Sequence, residues 1–284
     1  MMSRTQPLSD GSTLSFIEVG PPGKGGEPLV LIHGVGMCAR AWAPQIAALA
    51  ATHRVFAVDM PGHGVGHGNG HGRTSPLPDG ASLPDYVAWA ARVILSFGCG
   101  AVNVAGHSMG ALIAGGLAAE YPELIRRVAV LNAVHRRTPE ARAAVIARAD
   151  QIAMGQIDID TPLKRWFSDS AADRAVRPQV ARWLQSVDPA GYAAAYRAFA
   201  TGDDVYADRW EAITCPALVL TGDGDANSTP DMTRTMAASA PRGRAIVIEG
   251  HRHMVNLTAP DRVTAALRDW LQTPLMAETE GLRA

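Results

Sequence analysis

Ser108 lies between two glycines in the segment Gly106-His107-Ser108-Met109-Gly110, a match to the pattern G-x-S-x-G. An apolar run typical of a buried strand precedes it, and an Ala-rich stretch of helical length follows it. A serine on a tight strand-to-helix turn exposes its hydroxyl, and flanking glycines avoid collisions in the turn. The following helix N-terminus favours negative charge near that hydroxyl. The pattern therefore predicts that Ser108 is a nucleophile.

A serine nucleophile needs a base to accept its proton, and that base needs an anion to hold it. The chain contains nine histidines. Two of them, His251 and His253, lie in a segment between the last predicted strand and the last predicted helix. A base near the C-terminus fits the chain order serine, acid, histidine. Position alone leaves both histidines as candidates.

The acid is expected in the segment "LTGDGDANSTP", which follows the next-to-last predicted strand and contains Asp223 and Asp225. Asn132 ends the preceding strand, but an amide cannot balance the charge of an imidazolium. The later loop must therefore supply the carboxylate. An ordinary turn or helix cap is the alternative for these aspartates, because Asp and Asn are common at such positions.

A tetrahedral intermediate carries an oxyanion, which two backbone N–H groups must stabilise. Met109, directly after the nucleophile, is predicted to donate one of them. Val35, in the loop after the strand "PLVLI", is predicted to donate the other. Gly34, the residue before Val35, is expected at the substrate.

Short runs rich in Val, Ile and Leu alternate with stretches of helical length, which predicts a mostly parallel, doubly wound sheet of about eight strands in an α/β fold. Segment 13–20 alternates apolar and polar residues and is expected to be an antiparallel edge strand. The predicted buried strands lie within 28–34, 54–62, 101–108, 127–134, 216–225 and 244–251.

The alternation stops after residue 134 and resumes at 216. We therefore expect a helical lid over 136–210, inserted before the last two strands of a core formed by 1–135 and 211–284, although a further layer of core helices is an alternative. Trp166 and Trp183 of the insertion are predicted to bind substrate. Three lid arginines could bind a substrate carboxylate, but solvated surface positions are commoner for arginine: Arg165, Arg182 and Arg197.

The composition is that of an ordinary globular protein, with 47% hydrophobic and 19% charged residues and a net charge of −1. The charge argues against nucleic-acid binding, and no apolar segment is long enough for a membrane span or a signal peptide. We expect a cytoplasmic monomer or homodimer that acts on a small molecule without a cofactor. The three cysteines, Cys38, Cys99 and Cys215, suit reduced thiols.

The segment "PGHGVGHGNGHGRTS" places His63, His67 and His71 at every fourth position. A step of four residues aligns side chains only on a helix, and glycine at this density disfavours a helix. We therefore expect a loop and no metal site. Capture of a metal ion by a flexible loop is the alternative.

Taken together, these segments resemble the α/β-hydrolase family over about residues 13 to 272, and most closely its bacterial enol-lactonases, carboxylesterases and ring-fission carbon–carbon hydrolases. The family's acid loop, G-x-x-D, matches residues 222–225 and implies Asp225 as the acid. Its histidine loop, G-H-M, implies His253 as the base, although Arg252 replaces the usual glycine. The matching segments are "LIHGVG", "AVDMPGHG", "GHSMG", "LTGDGDA" and "HMVNLTAP".

The resemblance also narrows the expected chemistry. Dehalogenases and epoxide hydrolases of this fold carry Asp where this chain has Ser108. Ring-fission hydrolases commonly have a longer glycine run than Val35-Gly36-Met37. Hydrolysis of a small ester or lactone through an acyl-enzyme is therefore the leading expectation. Alternatives are hydrolysis of a carbon–carbon bond in a ring-fission diketone, a non-catalytic small-molecule receptor, and cofactor-free oxygenase or perhydrolase chemistry.

Overall fold

The computed structural model describes residues 1–21, 26–67 and 71–275, without the side chains of 65–67 and 71. Its strands are β1 Ser3–Pro7, β2 Thr13–Val19, β3 Pro28–Ile32, β4 Arg54–Val58, β5 Gly64–His67, β6 His71–Arg73, β7 Val102–His107, β8 Ile125–Leu131, β9 Ala217–Gly222 and β10 Gly243–Ile248. Its helices are α1 Ala43–Leu49, α2 Leu83–Ser96, α3 Met109–Glu120, α4 Pro139–Ala153, α5 Asp160–Trp166, α6 Ala171–Ser186, α7 Pro189–Thr201, α8 Pro230–Ser239, α9 Val255–Thr258 and α10 Pro260–Leu271.

Eight strands form one sheet in the order β1-β2-β4-β3-β7-β8-β9-β10, and β5 pairs with β6 in a separate hairpin. The six strands from β4 to β10 in that order are mutually parallel, whereas β2 runs antiparallel to both of its neighbours. The predicted doubly wound α/β sheet of about eight strands is confirmed.

The expectation that segment 13–20 is an edge strand was wrong, although its antiparallel direction was right. β1 pairs outside it and forms the edge of the sheet. The sequence of β1, "SRTQP", is mostly polar and exposed, so hydrophobic periodicity gives no signal for it.

The central strands are buried on both faces, and their alternate residues separate into two cores. Leu29 and Leu31 of β3 pack in the cluster that contains α1 and α10. Val30 and Ile32 pack in the opposite cluster with α2 and α3. Because successive strand side chains point to opposite faces, a continuous apolar run is what such a strand requires.

Helices α4 to α7 lie between β8 and β9, before the last two strands, as the sequence predicted. Side-chain caps stabilise the N-termini of three of them. The side chains of Thr138, Ser170 and Asp188 accept backbone N–H groups of α4, α6 and α7, respectively. Such caps satisfy N–H groups that the first helical turn leaves unpaired. The division into a core and a lid over 136–210 stays a prediction.

Two further expectations concern ligands and membranes. Among the described residues, no helix has the length and apolarity of a membrane span, and no group of three or more His, Cys, Asp or Glu side chains could hold a metal ion. The predicted absence of a metal site in the Gly/His segment depends on His67 and His71, whose side chains lie outside the described residues. His63 is described: it is buried and accepts the Gly36 N–H at 3.1 Å.

Candidate active site

Ser108 occupies a strained turn between β7 and α3, with φ 56° and ψ −117°. The glycines beside it are required by close backbone contacts. A Cβ on Gly106 would lie 1.9 Å from the carbonyl oxygen of Gly110, and a Cβ on Gly110 would lie 2.2 Å from that of Ile32. A positive φ at a non-glycine residue is costly and is typical of functional turns.

Asp225 follows β9 and receives four hydrogen bonds. Its Oδ2 accepts from Nδ1 of His253 at 2.7 Å and from Nδ2 of Asn132 at 2.8 Å. Its Oδ1 accepts the backbone N–H groups of Asn227 and Ser228. Burial acts to raise the pKa of Asp225, but His253 and these hydrogen bonds outweigh it and hold the pKa below its ordinary value. The carboxylate is therefore ionised at neutral pH.

His253 is oriented by this carboxylate. Because an ionised carboxylate can only accept, Nδ1 of the ring carries a proton and Nε2 of the neutral ring is left as the basic nitrogen. His253 and Ser108 line the same cavity. The other candidate, His251, instead contacts Thr258 Oγ1 through Nδ1 at 2.9 Å. The structure thus brings His253, and not His251, to Asp225.

The backbone N–H groups of Val35 and Met109 are the predicted oxyanion donors, and that role stays a prediction. Met109 begins α3, so its N–H is among those that the helix cannot satisfy. Val35 lines the cavity beside Ser108. In the described ranges, neither N–H has a protein acceptor within hydrogen-bond distance. Gly34 lies beneath the nucleophile, where a Cβ would be 3.0 Å from Ser108 Cβ, and does not itself line the cavity.

Sequence reasoning missed two residues that hold the histidine loop. His107 Nε2 lies 2.8 Å from the carbonyl oxygen of His253, so the ring N–H donates to it. Asn132, set aside because an amide cannot be the acid, donates to the acid. For His107, the sequence offers only its position beside Ser108, which is occupied by many residue types. For Asn132, the end of β8 next to β9 was a usable signal.

The cavity has a volume of about 340 Å³ and lies between helices α4, α5 and α7 and the carboxyl edge of the sheet. Trp166 lines it, with its ring 5.5 Å from that of His253, and binding of substrate by Trp166 stays a prediction. The placement of Trp183 at the substrate was wrong: Trp183 lines a separate surface groove. The buried face of α6 is formed by Val180 and Leu184, which turns Trp183 away from the cavity.

Three arginines line the cavity: Arg137, Arg148 and Arg165. Of the lid arginines considered from the sequence, only Arg165 is among them. Arg182 contacts Gln179 on the surface, and Arg197 pairs with Asp150 away from the cavity. The sequence therefore singled out one of the three cavity arginines, Arg165, and missed Arg137 and Arg148.

A model of the alpha/beta hydrolase family matches residues 29–266. The chain belongs to the alpha/beta hydrolase family. This hydrolase is 50% identical, over 273 residues that cover 96% of it and 99% of the relative, to the (E)-2-((N-methylformamido)methylene)succinate hydrolase of Acinetobacter baylyi.

Solved structures of esterases and lactonases share the fold of this hydrolase. A thermophilic esterase from Thermogutta terrifontis, solved with malate bound, has a TM-score of 0.82 and 25% identity, covering 95% of this chain and 98% of that one. The enol-lactonase of Burkholderia xenovorans has a TM-score of 0.81 and 26% identity, covering 95% and 100%. The resemblance predicted from the sequence is confirmed at the level of the family.

Proposed function

We propose that this hydrolase cleaves an acyl bond of a small substrate through an acyl-enzyme on Ser108, with His253 as base and Asp225 as its orienting acid. The observation that carries the proposal is the Asp225–His253 hydrogen bond of 2.7 Å, made by a histidine that shares one cavity with Ser108. This is the set of roles that activates a serine hydroxyl at neutral pH.

In the first half-reaction, Oγ of Ser108 attacks the substrate carbonyl carbon and its proton passes to Nε2 of His253. The N–H groups of Val35 and Met109 hold the resulting oxyanion. Asp225 stabilises the imidazolium without taking its proton. The bond to the leaving group then breaks, and His253 gives that group the proton. In the second half-reaction, His253 activates a water molecule, which releases the acid and restores Ser108.

The relative from Acinetobacter baylyi supplies the first substrate to test, because its identity extends over nearly all of both chains. Its named substrate, (E)-2-((N-methylformamido)methylene)succinate, has one carbonyl outside its two carboxylates, the N-formyl group. On this proposal Ser108 attacks that carbon, the C–N bond breaks, and formate leaves after hydrolysis of the formyl-enzyme. The leaving nitrogen is conjugated through a double bond to a carboxylate, which helps it depart.

The expectation of an ester or lactone substrate remains within the same proposal, since the nucleophile, base and oxyanion donors are the same for each acyl bond. Cleavage of a carbon–carbon bond in a ring-fission diketone differs in the bond that breaks. A receptor would bind the compound and release no product.

The deciding experiment measures product release from (E)-2-((N-methylformamido)methylene)succinate, a panel of small esters and lactones, and a vinylogous diketone. Wild type is compared with Ser108→Ala. Both proteins are also treated with a serine-directed phosphonate, and their intact masses are measured by mass spectrometry. We expect formate release by wild type, a loss of about 10⁴-fold or more in Ser108→Ala, and labelling of wild type only.

Each other outcome selects an alternative. Product from the diketone alone would support carbon–carbon cleavage. Stoichiometric binding without product would support a receptor. Full activity in Ser108→Ala would refute the acyl-enzyme.

A further inference from the structure

Arg137 lines the cavity and carries one buried hydrogen-bond donor that has no partner among the described residues. Its side chain is only 5% exposed, and its Nη1 donates to Asp203 Oδ1 at 3.0 Å. The guanidinium also stacks on the ring of Phe199, 4.4 Å from its centroid. Nη2 is buried and has no partner among the described residues. A buried donor without an acceptor is costly, so a group that fills the cavity and accepts from Nη2 would relieve that cost.

A buried carboxylate anchors Arg137 at the cavity wall. Asp203 is fully buried and also binds Arg142, with Nη2 to Oδ2 at 3.1 Å. Arg142 is bound more closely by Asp204, with Nη2 to Oδ2 at 2.7 Å. Two guanidinium groups are therefore set against two carboxylates, and Asp203 fixes Arg137 in place at the cavity wall.

Arg148 and Arg165 add two more cations from α4 and α5. Arg148 lies 3.9 Å from the carboxylate of Asp158, which is also engaged by backbone N–H groups at the start of α5. Arg165 contacts the neutral side chain of Asn227 at 3.3 Å. In the ranges described, Arg165 has no carboxylate within 4.0 Å. Neither arginine is held in a close ion pair with a carboxylate.

The three arginines and Tyr196 line the same cavity. Burial raises the pKa of the Tyr196 hydroxyl, and the positive charges of the three arginines offset part of that rise. Asp158 is the one carboxylate residue that lines the cavity in the described part of the chain. Arg148 and Arg165 together outweigh the charge of Asp158. Arg137, although paired with Asp203, adds a third guanidinium group, so the wall suits carboxylate groups of a ligand.

We propose that Arg137, Arg148 and Arg165 bind the two carboxylates of a dicarboxylate substrate and thereby determine the specificity of the cavity. The inference deepens the proposed function, on which it rests, by naming the substrate class for the same site. Guanidinium groups suit this role because their planar forks match carboxylate oxygens. With the carboxylates held at the arginines, the acyl group is left to lie at Ser108.

Binding of succinate to the wild-type protein tests this assignment without any need for turnover. Isothermal titration calorimetry is run with succinate, with succinamate, which has one carboxylate, and with succinamide, which has none. We expect affinity to fall in that order, by about 10-fold or more for each carboxylate replaced. Equal binding of succinamide and succinate, or no binding of succinate at millimolar concentration, would overturn the proposal.

Variants then identify the residues. We expect Arg148→Gln and Arg165→Gln each to weaken succinate binding by about 10-fold or more. Arg137→Lys keeps the charge but loses the fork, and the same loss is expected. Arg197→Gln is the matched control, because it removes one lid charge outside the cavity, and its affinity should stay within about twofold of wild type. Equal losses of succinate affinity in Arg197→Gln and Arg148→Gln would show that the overall charge of the lid, and not the cavity arginines, determines binding. That result would refute the assignment. Melting temperatures establish that each variant is folded.

The two proposals can fail separately. Succinate binding that depends on the three arginines, without phosphonate labelling of Ser108, would keep the dicarboxylate site and refute the acyl-enzyme. Labelling of Ser108 and ester turnover without succinate binding would keep the acyl-enzyme and refute the dicarboxylate site.

Discussion

The side-chain amide of Asn132 donates to the same oxygen of Asp225 that binds His253, with Nδ2 2.8 Å and His253 Nδ1 2.7 Å from Oδ2. Asn132 directly follows β8 and has φ 53°, a conformation that Asn tolerates better than most residues. The amide therefore supports the carboxylate without competing with it for the histidine. It is also one of the causes that lower the pKa of Asp225.

Replacing this amide by a second carboxylate should make the enzyme more sensitive to acid. In Asn132→Asp, two carboxyl groups about 3 Å apart cannot both ionise readily, so we expect the acid limb of kcat/KM to move up by about one pH unit or more. Asn132→Gly, which keeps the backbone freedom and only loses the donor, should shift it less. The measurement is the pH profile of kcat/KM for both variants, and an unchanged acid limb in Asn132→Asp would contradict the electrostatic role.

A carboxylate at residue 132, after β8, should partly replace the carboxylate of Asp225, after β9. Asp225→Asn is expected to lose about 10³- to 10⁴-fold in kcat, because the imidazolium loses its counter-charge. Adding Asn132→Asp returns a carboxylate to the same contact, and we expect it to recover about 10-fold or more of that loss. Steady-state kcat of the single and double variants gives the answer. The control is Asp225→Asn with Asn132→Gly, which should show no recovery.

His107 is predicted to position His253 through its backbone. His107→Ala leaves the His253 carbonyl without its 2.8 Å donor, so we expect kcat to fall by about 10-fold with little change in KM, and the free energy of unfolding to fall by about 1–3 kcal/mol. His107→Gln restores an N–H donor and should recover most of the kcat. A purely structural role would lower stability while leaving the rate of phosphonate labelling at Ser108 unchanged.

Local patterns predicted Ser108, because the glycines and the strand-to-helix context that create its strain are contiguous in the chain. They could not separate His251 from His253, which are two residues apart in one loop. Tertiary packing separates them: a Cβ on Gly222 would lie 2.2 Å from the carbonyl oxygen of His251, so the loop lies directly on β9.

The residues that line the cavity around the proposed catalytic residues were harder to predict than Ser108, His253 and Asp225. Arg137 is one of two adjacent arginines between β8 and α4, and its environment is distinguished by contacts with Asp203 and Phe199, which are distant in sequence. Trp183 failed as a substrate contact because the rotation of α6 about its axis depends on how Val180 and Leu184 pack. Such rotations are set by the rest of the fold and leave little trace in local sequence.

Buried neutral histidines should make the fold lose stability in mild acid. Burial lowers the pKa of His63 to about 4 and that of His107 to about 3, and it lowers the pKa of His33 well below the ordinary value of 6.5. Below pH 6.5 the unfolded chain binds these protons and the folded chain does not, so the free energy of unfolding falls as pH falls. Each histidine contributes up to about 1.4 kcal/mol per pH unit.

Asp59 opposes this trend and provides the test. Burial raises its pKa to about 6, so between pH 6 and the unfolded value near 3.8 the folded chain binds a proton that the unfolded chain lacks. On unfolding, the three histidines take up about three protons and Asp59 releases about one, so the unfolded chain binds about two more protons than the folded chain. The free energy of unfolding should therefore fall by about 3 kcal/mol per pH unit from pH 6 to 5. Asp59→Asn removes the opposing proton and should steepen the loss to about 4 kcal/mol per pH unit. Urea unfolding at pH 5, 5.5 and 6 measures both slopes, and an unchanged slope in Asp59→Asn would show that Asp59 is ionised in the folded protein at these pH values.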